Sequence, residues 1–414
     1  MSYRVAITGI GTVSASGLGL EPLWHDCLQG NSRIGMIDRF DVSDYKTRIA
    51  AQVNCFEEIE ATLDPKLTKR ADRFVKYAMW AAHTALAQSG LVIEGEVADE
   101  VGVLIGSGIG GMETWESQHA ILLSRGPGRV SPFLVPMMII DMASGMVSIS
   151  TGARGPNMAV VTACASGTHA LGESYEMIRR GAARAMITGG SEAAVTGTAL
   201  SGFCAAGALS ERNDDPITAC RPFDRSRDGF VIGEGATVMM LEEMEFARSR
   251  GAVILGEMVG YGMSGDAFHI TAPAADGSGA ARAMKAALRN AGLTPEDICY
   301  VNAHAPGTPN GDDMEARGLT QVFAPGAQGP VVSSTKSVHG HQLGATGATE
   351  LALTLRMLTE GVVPPTLNCH DLDDAVECDV VMEQPREIKG DYGMSNSFGF
   401  GGHNAVLIVK RFTD

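Results

Sequence analysis

The stretch VVTACASGTHALG, residues 160–172, sets a lone cysteine between a β-branched run and a string of small residues. MAVVTA before Cys164 reads as a strand, and SGTHALGESYEMIRRG after it reads as a helix closing at Arg180-Gly181. The cysteine therefore falls where a strand turns into a helix. A thiol there meets the positive end of the helix dipole and unpaired backbone N–H groups, and both favour the thiolate that attacks carbonyls. Ala163, Ala165, Ser166 and Gly167 permit a sharp turn and close approach of a substrate. The turn has the character of a nucleophile elbow, although G-x-S-x-G is absent. A cysteine chosen at random is more often inert core; this placement reverses that expectation.

Working outward, strands and helices alternate twice. RVAITGIG (4–11) is a strand ending in glycines, FVKYAMWAAHTALAQSGL (74–91) has helical apolar spacing, and VGVLIGSGIGG (101–111) is a strand flowing into a glycine loop. In the second half AVILGEMVGYG (252–262) echoes the first strand, AARAMKAALRNAGL (280–293) the helix, and CYVNAHAPG (299–307) the second strand. STKSVHGHQLG (334–344), followed by a helix closing at Gly361, parallels the Cys164 segment, and YGMSNSFGFGGHNAVLIV (392–409) parallels AMITGGSEAAV (185–195). This pattern predicts a duplicated α/β unit around largely parallel sheets, an N-terminal half at 1–250 and a C-terminal half at 251–414, packed as one body. Ligands of such folds gather where strands lead into helices, which here are the loops holding Cys164, His304, His339/His341 and Phe400.

The 414 residues are 45% hydrophobic and 19% charged, enough for a large buried core. A formal charge of −16 disfavours nucleic acid and membrane surfaces as partners. FLVPMMIIDMASGMVSIS, from Phe133, is broken by Pro136, Asp141 and Gly145 and reads as a buried segment, not a membrane span. Eight cysteines without CxxC pairs argue against a zinc ribbon or a disulfide framework. With no signal-peptide pattern at the N-terminus, the expected compartment is the reducing cytoplasm.

Of ten histidines, His304 ends a strand and His341 lies between a strand and a helix, at matching places in the half opposite the cysteine. That pairing marks them for chemistry; His339 is read as structural. Lys336 is either a charge that orients the site or a surface lysine, with Glu350 in the following helix as its partner. SNSFGFGGHN (395–404) joins two strands and so is not a phosphate-binding loop. Its glycines around Phe400 suggest a mobile loop carrying one bulky gate, or an ordinary turn with an exposed aromatic.

TACASGTHA, VNAHxxxTPxxD, SSTKSxxGHxLGAxGAxE and NSFGFGG, in this order, resemble the β-ketoacyl-[acyl carrier protein] synthases, most of all the type II elongating enzymes of dissociated fatty acid synthesis. The resemblance runs from Tyr3 to Arg411 and takes in GSGIGG (106–111), RPFDRSRDGFVIGEGA (221–236) and YGMSGDAFHITAP (261–273). It implies the thiolase fold, five αβαβα layers with two mostly parallel mixed sheets, and a homodimer. It further implies an acyl chain held on Cys164 as a thioester, and His304 and His341 as neutral imidazoles stabilising the enolate left when malonyl-acyl carrier protein loses carbon dioxide. The amides of Cys164 and Phe400 would form the oxyanion hole, Phe400 the gate, and Ile109 and Phe203 the acyl pocket. Met137, Met138 and Met142 would line its deeper end or simply pack the core. No cofactor is implied, since phosphopantetheine arrives on the carrier protein.

Two departures from the family pattern stand out. HAPGTP replaces the frequent HGTSTP, with Ala305, Pro306 and Gly307 for Gly, Thr and Ser, so Pro306 removes one hydroxyl near the pantetheine arm and leaves Thr308, with Thr271 a further candidate. His403 stands where threonine is frequent. For the carrier protein, Lys66, Lys69, Arg70 and Arg73 fall at i, i+3, i+4 and i+7 of an expected helix, extended by Arg125 and Arg129. A non-catalytic chain-length partner is disfavoured by the Cys-His-His set, a thiolase by the lack of a second cysteine near residue 400, and an initiating synthase by the second histidine. A ketosynthase of a specialised lipid or polyketide pathway remains the alternative.

Overall fold

The structure is a computed structural model that describes residues 2–413. The strands that matter are β1 (Val5–Ser14), β2 (Val101–Gly106), β3 (Asn157–Met158), β4 (Ala185–Glu192), β5 (Gly235–Glu243), β6 (Gly256–Gly265), β7 (Ile298–Asn302), β8 (Gly326–Ser333), β9 (Cys378–Val380), β10 (Tyr392–Gly399) and β11 (His403–Arg411). Six helices position the site: α1 (Arg73–Ser89), α2 (Met142–Thr151), α3 (Ser166–Arg179), α4 (Ser278–Ala291), α5 (Pro309–Thr320) and α6 (Thr346–Glu360).

The first half orders its strands β3-β2-β4-β5-β1 and the second β8-β7-β10-β11-β6, the same path with β9 added at the outer edge. In both halves the outer strands pair in parallel and the last two pairings are antiparallel, which makes each sheet mixed. The two sheets do not stay separate: β1 and β6 meet in an antiparallel pairing of Val5 with Met258, Ala6 with Glu257 and Ile7 with Gly256, giving one continuous sheet.

The layering follows from which helix faces are apolar. α3 and α6 are buried over nearly their whole circumference, as helices in a middle layer must be. Ala170 and Leu171 share a core cluster with Ala348, Leu351 and Ala352, so these helices pack on one another between the sheets. α1 and α4 each bury one face and cover the outer sides, where separate cores form. Glycines in the left-handed conformation close α1 at Gly90 and α6 at Gly361, relieving the Cβ clash that other residues would meet.

Three local expectations are corrected. MAVVTA is not a strand: of its six residues only Met158 pairs, with Leu104 of β2, beside Asn157 with Val103. The run lies on the sheet edge with Met158 and Val161 exposed, so β-branched composition alone does not bring it into the ladder. The segment from Phe133 is not buried throughout, since Val135 and Ile149 on two helices and Ile139 between them are exposed. The helix expected through Lys66–Arg73 breaks after Thr68, and Asp72 caps a new helix by accepting from the Phe74 amide. Among the described residues no helix is long and apolar enough to cross a membrane.

Candidate active site

Cys164 sits in a tight turn, Ala163–Ala165, at the mouth of α3. Ala163 takes φ 50°, a left-handed conformation that costs a non-glycine residue about 1–2 kcal/mol. The turn is held by Ser166, whose hydroxyl donates to the Ala163 carbonyl at 2.7 Å and accepts from the Thr162 amide at 2.9 Å. The β10–β11 turn closes over it: a Cβ on Gly399 would lie 2.6 Å from the Thr162 carbonyl oxygen and 3.1 Å from the Cys164 nitrogen. In this arrangement the main-chain N–H groups of Phe400 and of Cys164 itself favour the sulfur anion.

The backbone amides at the turn do favour the thiolate, as expected, but burial outweighs them. Burial pushes the Cys164 thiol up, to about 12, while Lys336 and the two amides pull it down and Glu192 adds to the rise. The low-dielectric surroundings cost the anion more than the helix end and amides return. The resting group is the thiol.

His304 and His341 come together from two loops, their rings edge to face with centroids 5.2 Å apart. His304 follows β7, and Glu315 on α5 fixes its backbone: Oε1 accepts from the His304 amide at 2.9 Å and Oε2 from the Ala305 amide at 2.6 Å. The first half holds His341, whose amide donates to the Val231 carbonyl at 2.7 Å while its carbonyl accepts from the Gly233 amide at 2.8 Å. Thr346 Oγ1 lies 3.1 Å from His341 Nδ1, so Nδ1 is engaged. His304 Nδ1 is buried without a partner among the described residues. Burial first and the Lys336 cation second hold both imidazoles well below the ordinary histidine range, which keeps them neutral. His339 is buried and likewise lowered, to about 3, with Nε2 against Thr335 Oγ1 at 3.0 Å.

Lys336 and Glu350 form an ion pair with both side chains fully buried, so Lys336 is not a surface lysine. Burial raises the Glu350 carboxyl, and Lys336 pulls it back down. Beside this pair Asn302 Oδ1, Glu350 Oε2, Ser395 Oγ and Asn396 Oδ1 are buried without partners among the described residues, and Asn396 donates to Glu315. No group of side chains with metal-ligating composition occurs among the described residues.

An aromatic run links the histidines to an apolar pocket. Phe398 packs edge-on to His304, Phe230 edge-on to His341, and Phe203 edge-on to Phe230 at 5.4 Å. Ile109, Phe203 and Cys164 join Phe230 and Leu343 in one apolar cluster. Ile109 also lines a cavity of about 200 Å³ with Met112, Trp115, Met138 and Thr198. Of the three methionines Met138 reaches this cavity, whereas Met142 packs against the outer core under α1.

The remaining expected residues are more scattered. Phe400 is exposed on its turn. Thr271 is exposed on the loop after β6, which is tied to that turn by the Gly401 amide donating to the Ile270 carbonyl at 2.8 Å. Thr308 is half-buried at the start of α5, and the His403 ring lies beside Gly401. Lys66, Lys69, Arg70 and Arg129 are exposed, the Arg70 guanidinium stacking on Phe133 at 4.1 Å. Arg73 leaves the basic face: it pairs with Glu113 at 2.8 Å and stacks on Phe56. Sequence reading missed Glu315, Phe230 and Thr346, which act only through contacts made in space; Glu315 lies eleven residues after His304 with no motif to mark it.

Comparison with known proteins agrees with this geometry. Residues 2–247 match the family model for the β-ketoacyl synthase N-terminal domain, and residues 255–370 that for the C-terminal domain. The chain is 49% identical over 411 residues to 3-oxoacyl-[acyl-carrier-protein] synthase 2 of Staphylococcus aureus strain MRSA252, covering 99% of each. A β-ketoacyl synthase from Burkholderia phymatum STM815 superposes with a TM-score of 0.93 at 36% identity, over 99% of this chain and 100% of that one. A type II polyketide ketosynthase in complex with its acyl carrier protein superposes at 0.89 with 28% identity, over the whole of both chains. A duplicated thiolase fold, a cysteine turn joined through Phe230 to a pair of neutral imidazoles, and whole-length identity of this order place the chain in the β-ketoacyl synthase family.

Proposed function

We propose that this chain is an elongating β-ketoacyl-[acyl carrier protein] synthase, an acyltransferase of fatty acid biosynthesis that extends an acyl chain by two carbons through decarboxylative Claisen condensation. Whole-length identity of 49% to a synthase 2 carries the reading, against 28% to the polyketide ketosynthase.

Cys164 Sγ attacks the thioester of an acyl-carrier protein; the new S–C bond forms as the pantetheine sulfur leaves with the thiol proton. A malonyl thioester then enters. His304 and His341 hold its carbonyl oxygen, so that when carbon dioxide leaves the electron pair rests on an enolate beside two neutral N–H dipoles. Neutral rings suit this step because they hold the oxygen without protonating the carbon nucleophile. The enolate carbon attacks the Cys164 thioester, the oxyanion rests on the amides of Cys164 and Phe400, and collapse expels the Cys164 thiolate, which takes a proton from solvent to return to the thiol. Lys336, anchored by Glu350, keeps the imidazoles neutral.

Phe400 gates the acyl pocket, Ile109 and Phe203 line it, and Thr308 and Thr271 face the pantetheine arm. The pantetheine is borne by the carrier protein, and the enzyme brings no cofactor of its own. Lys66, Lys69, Arg70 and Arg129 steer the acidic carrier, and a second copy covers Val135, Ile139, Ile149, Met158 and Val161 in a homodimer. The compartment is the cytoplasm, where the eight free cysteines stay reduced.

The test loads the protein and a Cys164→Ala variant with acyl-carrier proteins of six to sixteen carbons, adds malonyl-carrier protein, and records intact mass and product mass. Acylation absent from the variant, with release of chains longer by two carbons, is expected. Acylation without extension would favour a partner-dependent ketosynthase, and no acylation at any length would remove Cys164 from the chemistry.

A further inference from the structure

Glu192, the last residue of β4, is fully buried and takes no part in the steps above. Its carboxylate accepts from five donors. Oε1 accepts from Ser107 Oγ at 2.9 Å and the amides of Ile109 at 3.2 Å and Gly110 at 3.4 Å; Oε2 accepts from the amides of Gly108 at 2.7 Å and Gly344 at 3.0 Å. Four of these donors belong to the turn that carries Ile109 into the acyl cluster, and the fifth to the loop that carries His341 three residues earlier. No donor is charged; burial raises the Glu192 carboxyl, and only oriented N–H and O–H dipoles oppose that rise.

The contact is close on every side. A Cβ on Gly344 would lie 2.3 Å from the Gly108 nitrogen and 2.8 Å from Glu192 Oε2; one on Gly108 would lie 2.9 Å from that oxygen and 3.3 Å from the Ala163 carbonyl oxygen. The turn of Ile109 and the loop of His341 therefore meet around one carboxylate, and the turn of Cys164 packs against Gly108 beside it.

We propose that Glu192 is a positioning residue that couples the acyl pocket to the condensing site, tying the Ile109 turn to the Gly344 loop so that the length of the acyl chain bound past Ile109 is felt at His341. This rests on the condensing reading above. Glu192→Gln keeps the shape but turns an NH2 toward backbone N–H groups whichever way the amide faces, because both oxygens only accept.

The test uses the full chain, with circular dichroism and thermal melting showing that Glu192→Gln and the milder Ser107→Ala are folded. Two readouts are taken. Hydrogen exchange in peptides covering 107–111 and 341–345 is expected to speed up in both segments together in Glu192→Gln, by about tenfold or more. The kcat/KM for acyl donors of six to sixteen carbons is expected to change unevenly, with the ratio between the longest and shortest donors shifting at least about threefold, and less in Ser107→Ala. Exchange that rises in one segment only or in neither, or a loss of activity uniform across chain lengths, would overturn the proposal. If the wild-type protein loads no acyl chain, the condensing reading fails, and the exchange readout still decides whether the two segments are tied.

Discussion

The turn at Ala163–Ala165 and the turn at Leu343–Ala345 are the same structure placed twice. Each is a single tight helical turn leading into a middle-layer helix, and each begins on a residue in the left-handed conformation, Ala163 at φ 50° and Leu343 at φ 49°. Their middle residues are Cys164 and Gly344. The first presents a thiol to a pocket, whereas the second cannot hold even a methyl group, because Gly108 and Glu192 fill the space. Duplication thus supplies two elbows, and packing at the joint between halves leaves one of them free for chemistry. The half that lacks the thiol contributes the two imidazoles instead.

The division of labour between the halves rests most heavily on the imidazoles. His304→Ala and His341→Ala leave the Cys164 elbow intact, so acyl loading is expected to persist while condensation falls by about 10²–10³-fold each, as when an oriented donor to a developing oxyanion is removed. Loss of loading equal to the loss of condensation would show that the two halves do not divide the work.

Next comes the empty elbow. Gly344→Ala is expected to destabilise the protein by about 1–3 kcal/mol, as overpacking does, with denaturant midpoints as the measure. A neutral outcome would mean that the joint between the halves yields. At the start of each elbow the left-handed residues sharpen the contrast. Leu343→Gly loses a buried side chain from the apolar cluster and should cost about 2–5 kcal/mol. Ala163→Gly should move stability by less than about 1 kcal/mol, since relief of the left-handed strain offsets the added backbone entropy.

The electrostatic difference between the halves is testable by pH. Because the Cys164 thiol is raised, its alkylation by iodoacetamide should climb about tenfold per pH unit from pH 7 to 9 without levelling, whereas an activated thiolate would show a plateau. The imidazoles are lowered, so they stay neutral as the pH falls below the ordinary histidine value and malonyl decarboxylation should hold steady from pH 7.5 to 6. Replacing Lys336 with methionine removes the cation that helps to lower them; the acid limb should then move to higher pH, within a smaller overall rate.

Much of this molecule was legible in the sequence. Alternating periodicities and terminal glycines locate the strands and helices, because local sterics and one-sided burial act over a few residues. The repeat of that alternation declares the duplication, and small residues around Cys164 declare a tight turn at the mouth of a helix. Other features were decided only in three dimensions. That β1 and β6 join the sheets, that MAVVTA runs along an edge, and that the basic run 66–73 breaks at the Asp72 cap depend on which surfaces meet. The protonation of Cys164 follows from burial, to which short-range sequence is blind, and the grip of Glu315 and Glu192 on backbone amides spans eleven and up to 152 residues of chain. Residue types and spacings set the local conformations; desolvation and close packing between the halves decided which of two equivalent turns was left open.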